Sequence, residues 1–130
     1  MKDYLLDTNF VLRYLLNDIP SQADIIESFL LKAKLGTISL FVPLLVFVEI
    51  DFALSKFYHF KKEEIAEKLK FIAEIEYLDV EKREILTNAL NFYNSHSVSF
   101  VDALFLVESK KSGRELLTFD KKLEAIKLKL

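Results

Sequence analysis

Four acidic residues of this chain stand where a carboxylate can serve either as a helix cap or as part of a reactive site. Asp7 closes a short apolar run and is followed by Thr8 and Asn9, and all three are residue types that favour helix N-caps. Asp120 follows the β-prone stretch 115–119, and its simplest role is again that of a cap or turn residue. Neither acid by itself indicates a function.

Glu49 is harder to explain by a structural role alone. The surrounding segment, residues 44–50, is apolar on nearly every side of a helix. An ionised carboxylate there is costly unless it is paired or bound to a metal. The alternative is that Glu49 lies on a narrow stripe that faces solvent. Asp51 points elsewhere, and we expect it to be the better candidate for solvent exposure.

Asp102 lies three residues after Ser99, at the start of a predicted helix. This spacing is compatible with a capping box, which is a structural role. A metal-binding role is compatible with it, because the positive end of the helix dipole stabilises a carboxylate in the first turn.

Taken together, the four carboxylates have the donor chemistry of a metal site. Hard cations such as Mg²⁺ prefer oxygen ligands and usually retain several waters. A bound divalent ion acidifies a water and stabilises charge on a phosphate, which is what hydrolysis of a phosphodiester requires. The set is Asp7, Glu49, Asp102 and Asp120.

The hydrophobic pattern predicts strands that alternate with helices. Predicted strands lie at 4–6, 37–42, 77–80 and 115–119. Predicted helices lie at 9–16, from 20 to a stop at Gly36, and at 44–57, 61–75, 84–93 and 99–112, with a turn or short helix leading to 126–130. This alternation predicts an α/β fold with a parallel sheet and helices on both faces. Ligands of such sheets bind beyond the carboxyl ends of the strands, where most of the four acids are expected.

The composition limits the classes of protein to which the chain can belong. With 130 residues it has the length of one domain, 1–130, and 52% of its residues are hydrophobic, enough for a packed core. The longest apolar run, 40–48, is too short to span a bilayer, and the N-terminus does not resemble a signal peptide. The absence of cysteine excludes thiolate metal sites. We therefore expect a soluble, cytoplasmic protein that does not enter a membrane.

The four acidic segments, taken in order, resemble the motifs of PIN-domain ribonucleases. Residues 5–9 resemble the opening of a PIN domain, and the segments around Glu49, Asp102 and Asp120 resemble its second, third and fourth acidic positions. The agreement extends over essentially the whole chain, whose length is most like that of the VapC toxins of bacterial and archaeal toxin–antitoxin pairs. One departure is Phe52, where many relatives carry tryptophan. This is a change of packing and affects no catalytic position.

The resemblance implies a metal-dependent endoribonuclease with the three-layer PIN fold, in which a central, mainly parallel sheet is flanked by helices. Mg²⁺ or Mn²⁺ would be held by the four acids, and a metal-activated water would hydrolyse RNA. Thr8, Asn9 and Thr118 would support the acids by hydrogen bonds. A homodimer and a VapB-like antitoxin partner are also implied.

Three other classes of protein share parts of this pattern. A haloacid-dehalogenase-type phosphatase would carry Asp-x-Asp after its first strand, whereas Asn9 occupies the second position here. A receiver domain should carry an acidic pair there and a lysine late in the sheet, whereas only Asp7 is acidic and the late lysines follow Asp120. A catalytically silent PIN-like module that binds RNA or protein remains the main alternative, although such a scaffold is expected to have lost some of the acids.

Basic residues near the acids are candidates for phosphate binding. The net charge of −2 argues against a protein that coats nucleic acid by bulk attraction, but local lysines can still hold phosphates. Five basic residues flank the later acids and either rim the site or form a solvated face: Lys110, Lys111, Arg114, Lys121 and Lys122.

A cluster of aromatic residues follows Glu49 in the sequence. Their near-helical spacing favours a place in the core, and the alternative is a surface for an antitoxin or a second subunit. The cluster is Phe52, Phe57, Tyr58 and Phe60. We assign both histidines, His59 and His96, to the surface or to loops, without a catalytic role.

Overall fold

The computed structural model, which describes residues 1–129, is built around a three-stranded parallel sheet. The strands are β1 (Lys2–Leu5), β2 (Ile38–Val42) and β3 (Asp79–Val80), in the spatial order β1-β2-β3. Tyr4 lies opposite Leu40 in the first ladder. Parallel neighbours require crossover connections, and helices provide them.

Seven helices within the described residues connect and follow the strands. Helices α1 (Thr8–Leu16) and α2 (Pro20–Lys34) join β1 to β2, and α3 (Leu44–Lys56) and α4 (Lys62–Ala73) join β2 to β3. Helices α5 (Arg83–Ser95), α6 (Phe100–Ser112) and α7 (Lys121–Lys129) come after β3. The predicted α/β class with a parallel sheet among helices is confirmed.

Local sequence signals explain where several helices begin and end. Pro20 opens α2 at a position where its missing N–H would have no helical partner. Ser99 caps α6 through its side chain, and Gly113 ends that helix with φ of 74°, a left-handed conformation that favours glycine. These signals placed the predicted bounds of α6 within one residue of the observed ones.

The hydrophobic core lies between the central strand and the helices. Leu40 and Val42 of β2 are fully buried, as are Phe47 of α3 and Phe100 of α6. No polar or charged residue among the described ones falls in the buried class. Burial of apolar surface, worth roughly 25 cal/mol per Å², therefore supplies the main stabilisation of this core. No helix within residues 1–129 has the length and apolar character needed to cross a membrane.

The sheet differs from the prediction at both ends of the chain. Residues 115–119 form no strand, and Leu117 and Phe119 are 87% and 106% exposed. The β propensity of this segment has no effect here because it reflects packing on a half-buried sheet surface, which the segment does not reach. Lys127 of α7 instead donates a hydrogen bond to the Leu116 carbonyl at 2.7 Å. At the other end, β1 is an edge strand, and Leu5, expected to be buried, is 69% exposed.

The third strand is also shorter than predicted. It covers only Asp79–Val80, whereas the pattern predicted 77–80. The preceding residues form a turn in which the Leu78 N–H donates to the Ile75 carbonyl at 3.2 Å. A local turn bond thus replaces the first half of the expected ladder.

The aromatic cluster after α3 lies at the surface, so the expectation of a core position was wrong for most of it. Phe52 and Phe57 are 57% and 69% exposed, and their rings pack edge to face with centroids 6.0 Å apart. Tyr58 is also exposed, and only Phe60 is half-buried against the core. Both histidines are exposed, as expected.

Candidate active site

The first two predicted site acids are linked through Thr8, where β1 passes into α1. Asp7 is exposed, and its Oδ1 accepts a hydrogen bond from the Phe10 N–H at 2.8 Å, which makes Asp7 the N-cap of α1. Thr8, the first residue of that helix, donates a short hydrogen bond from Oγ1 to Oε1 of Glu49 in α3. Glu49 is therefore held next to the residue that follows Asp7. We call this group the Asp7–Glu49 pair.

The carboxyl edge of the sheet brings these elements together. The Leu6 N–H donates to the Phe41 carbonyl at 2.9 Å, so the residue after β1 is still hydrogen-bonded to β2, two residues before α1 begins. At the start of α3, where Pro43 offers no side-chain cap, Oε1 of Glu81 accepts a hydrogen bond from the Leu44 N–H at 2.7 Å. This role of Glu81 was not predicted from the sequence. The sequence feature that could have indicated it is the position of Glu81 directly after the predicted strand 77–80.

The exposure of Glu49 and Asp51 is the reverse of the prediction. Glu49 is exposed, whereas Asp51 is half-buried and its Oδ1 accepts a hydrogen bond from the Tyr93 hydroxyl at 3.0 Å. Burial raises the pKa of the Asp51 carboxyl, an effect that the Tyr93 hydrogen bond partly offsets. Burial and the nearby charge of Asp51 raise the pKa of Tyr93. The apolar run 44–50 has no clear polar face, so its pattern did not reveal which acid faced solvent.

The other two predicted site acids lie at the N-termini of α6 and α7. Asp102 is half-buried, and its backbone N–H donates to Oγ of Ser99 at 3.1 Å. Asp120 is exposed, and its Oδ1 accepts a hydrogen bond from the Leu123 N–H at 3.0 Å, which makes it a cap. Thr118 accepts a hydrogen bond at Oγ1 from the Asp120 N–H at 3.1 Å. The capping role considered for Asp120 is therefore confirmed. At α6 the cap is Ser99, and among the described residues the Asp102 carboxylate does not complete the capping box.

Asp102 and Asp120 line one cleft of about 280 Å³, here called the Asp102–Asp120 cleft. Its remaining wall comes from the loop before α6, from α7 and from the first residue of α4. These residues are Lys62, Ser97, Val98, Ser99, Lys122, Leu123 and Ile126. Lys62 was not among the candidates predicted from the sequence, because it is remote in sequence from both acids.

Three of the five flanking basic residues lie in two different places. Lys122 lines the Asp102–Asp120 cleft. Lys110 and Lys111 lie at the other end of α6, where Lys111 forms an ion pair with Glu84. Proximity in sequence to Asp102 therefore did not mean proximity to its carboxylate, because α6 carries the later lysines more than one helical turn away.

Asn9 contacts a different partner from the one expected. Its Oδ1 accepts a hydrogen bond from Nε of Arg13 at 3.3 Å, and no hydrogen bond joins it to any of the four acids. Arg13 also donates to the Tyr58 hydroxyl and pairs with Asp18 at 2.6 Å, and these contacts raise its pKa. Asn9 and Arg13 nevertheless line a shallow cleft together with Asp7.

The four acids form two pairs rather than one tight cluster. Among residues 1–129, no three acidic or histidine side chains are close enough to hold one metal ion together. Mg²⁺ is commonly bound by only one or two carboxylates together with waters and substrate phosphates. Each pair offers carboxylate oxygens, which are the donors that such an ion prefers. These carboxylates are wholly or partly exposed, so an ion can reach them. Helix α3, which carries Glu49, packs against α6, which carries Asp102.

Comparison with known proteins defines the family. A family model described as PIN domain matches residues 4–129, and the chain belongs to this family. The resemblance drawn from the four acidic motifs is thereby confirmed. A similar curated protein is the VapC ribonuclease of Aquifex aeolicus (strain VF5), which is 29% identical over 126 residues, or 96% of this chain and 93% of that protein. No solved structure gives a significant match to the chain.

Proposed function

We propose that this chain is a VapC-like, metal-dependent endoribonuclease that hydrolyses RNA phosphodiester bonds. Membership of the PIN family and a VapC ribonuclease relative along nearly the whole chain support the reaction class. The observation that carries the site is the Thr8–Glu49 hydrogen bond, which holds a mid-helix acid of α3 beside the N-terminus capped by Asp7. Asp102 and Asp120 are proposed as the remaining acids of the same site.

The side chains of this site have separate tasks in the proposed reaction. Asp7 and Glu49 are exposed and free to bind a divalent cation, and Thr8 fixes the orientation of Glu49. Asp102 and Asp120 sit at helix N-termini, whose backbone dipoles favour anions. Mg²⁺ or Mn²⁺, when bound, would acidify a water and stabilise charge on the phosphate.

Supporting residues follow the same division. Thr8 touches a carboxylate, whereas Thr118 touches only the backbone of Asp120. We therefore propose Thr8 as the main supporting residue, with Thr118 positioning the backbone that carries Asp120. Asn9 is proposed to act at the rim of the Asp7 cleft, where it neighbours Arg13.

We also propose that the protein forms a homodimer and is neutralised by a VapB-like antitoxin. The exposed Phe52–Phe57 pair supports an interaction surface, because large aromatic side chains are enriched at protein interfaces. Replacing both with serine should change the molecular mass measured by light scattering if this surface joins two subunits. An unchanged mass for a dimeric variant would locate the dimer contact elsewhere.

The reaction is tested by incubating the purified protein with single-stranded RNA. We expect cleavage with Mg²⁺ or Mn²⁺, none in excess EDTA, and none by Asp7→Asn, a substitution that retains a good N-cap and hence the fold. Full activity in EDTA would overturn the metal mechanism. An RNA- or protein-binding module without catalysis, the main alternative, predicts binding but no cleavage under every metal condition.

A further inference from the structure

Two lysines in the Asp102–Asp120 cleft have no part in the carboxylate chemistry proposed above. Lys62 is the first residue of α4, and Lys122 lies in the first turn of α7. Both line the cleft together with Asp102 and Asp120. Only the tertiary structure brings these two ammonium groups to the same cleft, because the two lysines are far apart in sequence.

Both lysines hold the loop that leads into α6. Nζ of Lys62 donates a short hydrogen bond to the His96 carbonyl and lies 4.8 Å from the centroid of the Tyr93 ring. Nζ of Lys122 donates to Oγ of Ser97 at 3.3 Å. An ammonium group has three N–H donors, so each lysine keeps donors for a ligand.

The two lysines share the cleft with Asp102 and Asp120 but are not tied to these acids by ion pairs. Neither Lys62 nor Lys122 forms an ion pair with an acidic side chain among residues 1–129. By contrast, Lys82 pairs with Glu108 at 2.6 Å, and Lys111 pairs with Glu84. Two ammonium groups that are not engaged in ion pairs suit a ligand that carries phosphates.

We propose that Lys62 and Lys122 bind backbone phosphates of the RNA strand at the Asp102 side of the site. This inference rests on the ribonuclease function proposed above and assigns the two lysines as positioning residues. Without them, Asp102 and Asp120 would repel the strand, whereas two ammonium groups attract it at the same place. Contacts to phosphates fix the register of a nucleic acid without reading its bases.

The test compares two double variants that remove the same number of charges. Lys62→Gln with Lys122→Gln removes the charges in the cleft, while Lys34→Gln with Lys110→Gln removes two from exposed positions that do not line it. Binding of a labelled single-stranded RNA of mixed sequence is measured by fluorescence anisotropy in EDTA, so that the RNA stays intact. Salt is varied, and KM and kcat are measured separately with Mg²⁺.

Loss of two phosphate contacts should reduce the slope of log Kd against log salt by about 1.4, and binding near 0.1 M salt should weaken on the order of tenfold. KM should rise more than kcat falls, and arginine at both positions should restore most of the slope. The control variant should keep the slope within about 0.3, since long-range surface charges are screened.

Outcomes that overturn the lysine assignment differ from those that overturn the ribonuclease function. If wild type cleaves RNA and the cleft variant keeps the wild-type slope and KM, the lysines only hold the loop. The ribonuclease function fails if wild type cuts no RNA with either metal. Lys122→Gln alone, at an exposed position, supplies the slope measurement if the double variant does not fold.

Discussion

The Asp7–Glu49 pair and the Asp102–Asp120 cleft are built by different means. The first joins β1, α1 and α3 at the edge of the parallel sheet, and a side chain–side chain hydrogen bond from Thr8 fixes one carboxylate directly. The second depends on two helix N-termini, one of which follows the irregular segment 113–120. The sheet edge and a side-chain hydrogen bond therefore position the first half of the proposed site, while helix caps and lysine contacts to the neighbouring loops position the second.

The largest expected effect is the loss of RNA cleavage when an acid of either half of the proposed site is replaced. Converting each acid in turn to its amide should lower the cleavage rate on the order of 10²-fold or more, because each removes a proposed metal ligand. The series is Asp7→Asn, Glu49→Gln, Asp102→Asn and Asp120→Asn, with Asp24→Asn on an exposed face of α2 as control. Rates are measured on one RNA substrate at fixed Mn²⁺.

This series also separates the two halves. We expect the Mn²⁺-induced rise in Tm to shrink for variants of either half, since binding to the native state stabilises it by mass action. If variants of only one half lose activity and the metal shift, that half alone is the metal site. The other acids would then be helix caps.

The second effect compares the two supporting hydroxyl groups. Thr8→Val should lower cleavage by about tenfold, because it removes the hydrogen bond that orients the Glu49 carboxylate. Thr118→Val should have a smaller effect, since its hydroxyl contacts the Asp120 backbone rather than a carboxylate. Thr8→Ser, which keeps the hydroxyl, is the matched control. Equal losses of cleavage rate for the two valine variants would mean that both hydroxyl groups support their acids equally.

A third, smaller effect is on stability at the capped helix of the second half. Ser99→Ala removes the side-chain acceptor of the Asp102 N–H and should destabilise the protein by about 1 kcal/mol. Thermal melts should show a lower Tm by roughly 2–6 °C, and Ser99→Asn, another good cap, should restore it. A wild-type Tm for Ser99→Ala would show that this cap contributes nothing to the stability of the protein.

The smallest effect concerns Asp51, close in sequence to Glu49 but outside the proposed site. Its pKa is raised in the folded protein, so the folded state binds more protons and gains stability as pH falls through that pKa. Above it, the half-buried charge is destabilising. Asp51→Asn keeps an acceptor for Tyr93 and should raise Tm slightly at pH 7, by less than about 1 kcal/mol of stability for a partly exposed group.

The difference between Asp51→Asn and wild type should shrink as pH falls and disappear only below the ordinary aspartate pKa of about 3.9, where the carboxyl is neutral in both the folded and the unfolded state. Melts at several pH values measure it, and activity at pH 7 should be unchanged. A difference in Tm independent of pH would assign the effect to packing rather than to charge.

Much of the molecule followed from local sequence patterns. Capping residues and helical periodicity placed α1, α3 and α6 within one or two residues, because these signals act between neighbours in the chain. The order of the four acidic motifs identified the PIN family without any structure. The roles of the individual acids at the site stay a prediction.

Other features depended on contacts between distant segments. The stretch 115–119 has strand-forming residues yet forms no strand, since pairing needs a sheet edge that packing must supply. Glu49 and Asp51 exchanged their expected exposures because Tyr93, far along the chain, covers Asp51. Lys62 lines the same cleft as Asp102 for the same reason. The sequence determines the local elements, but the contacts between residues far apart in the chain depend on how those elements pack.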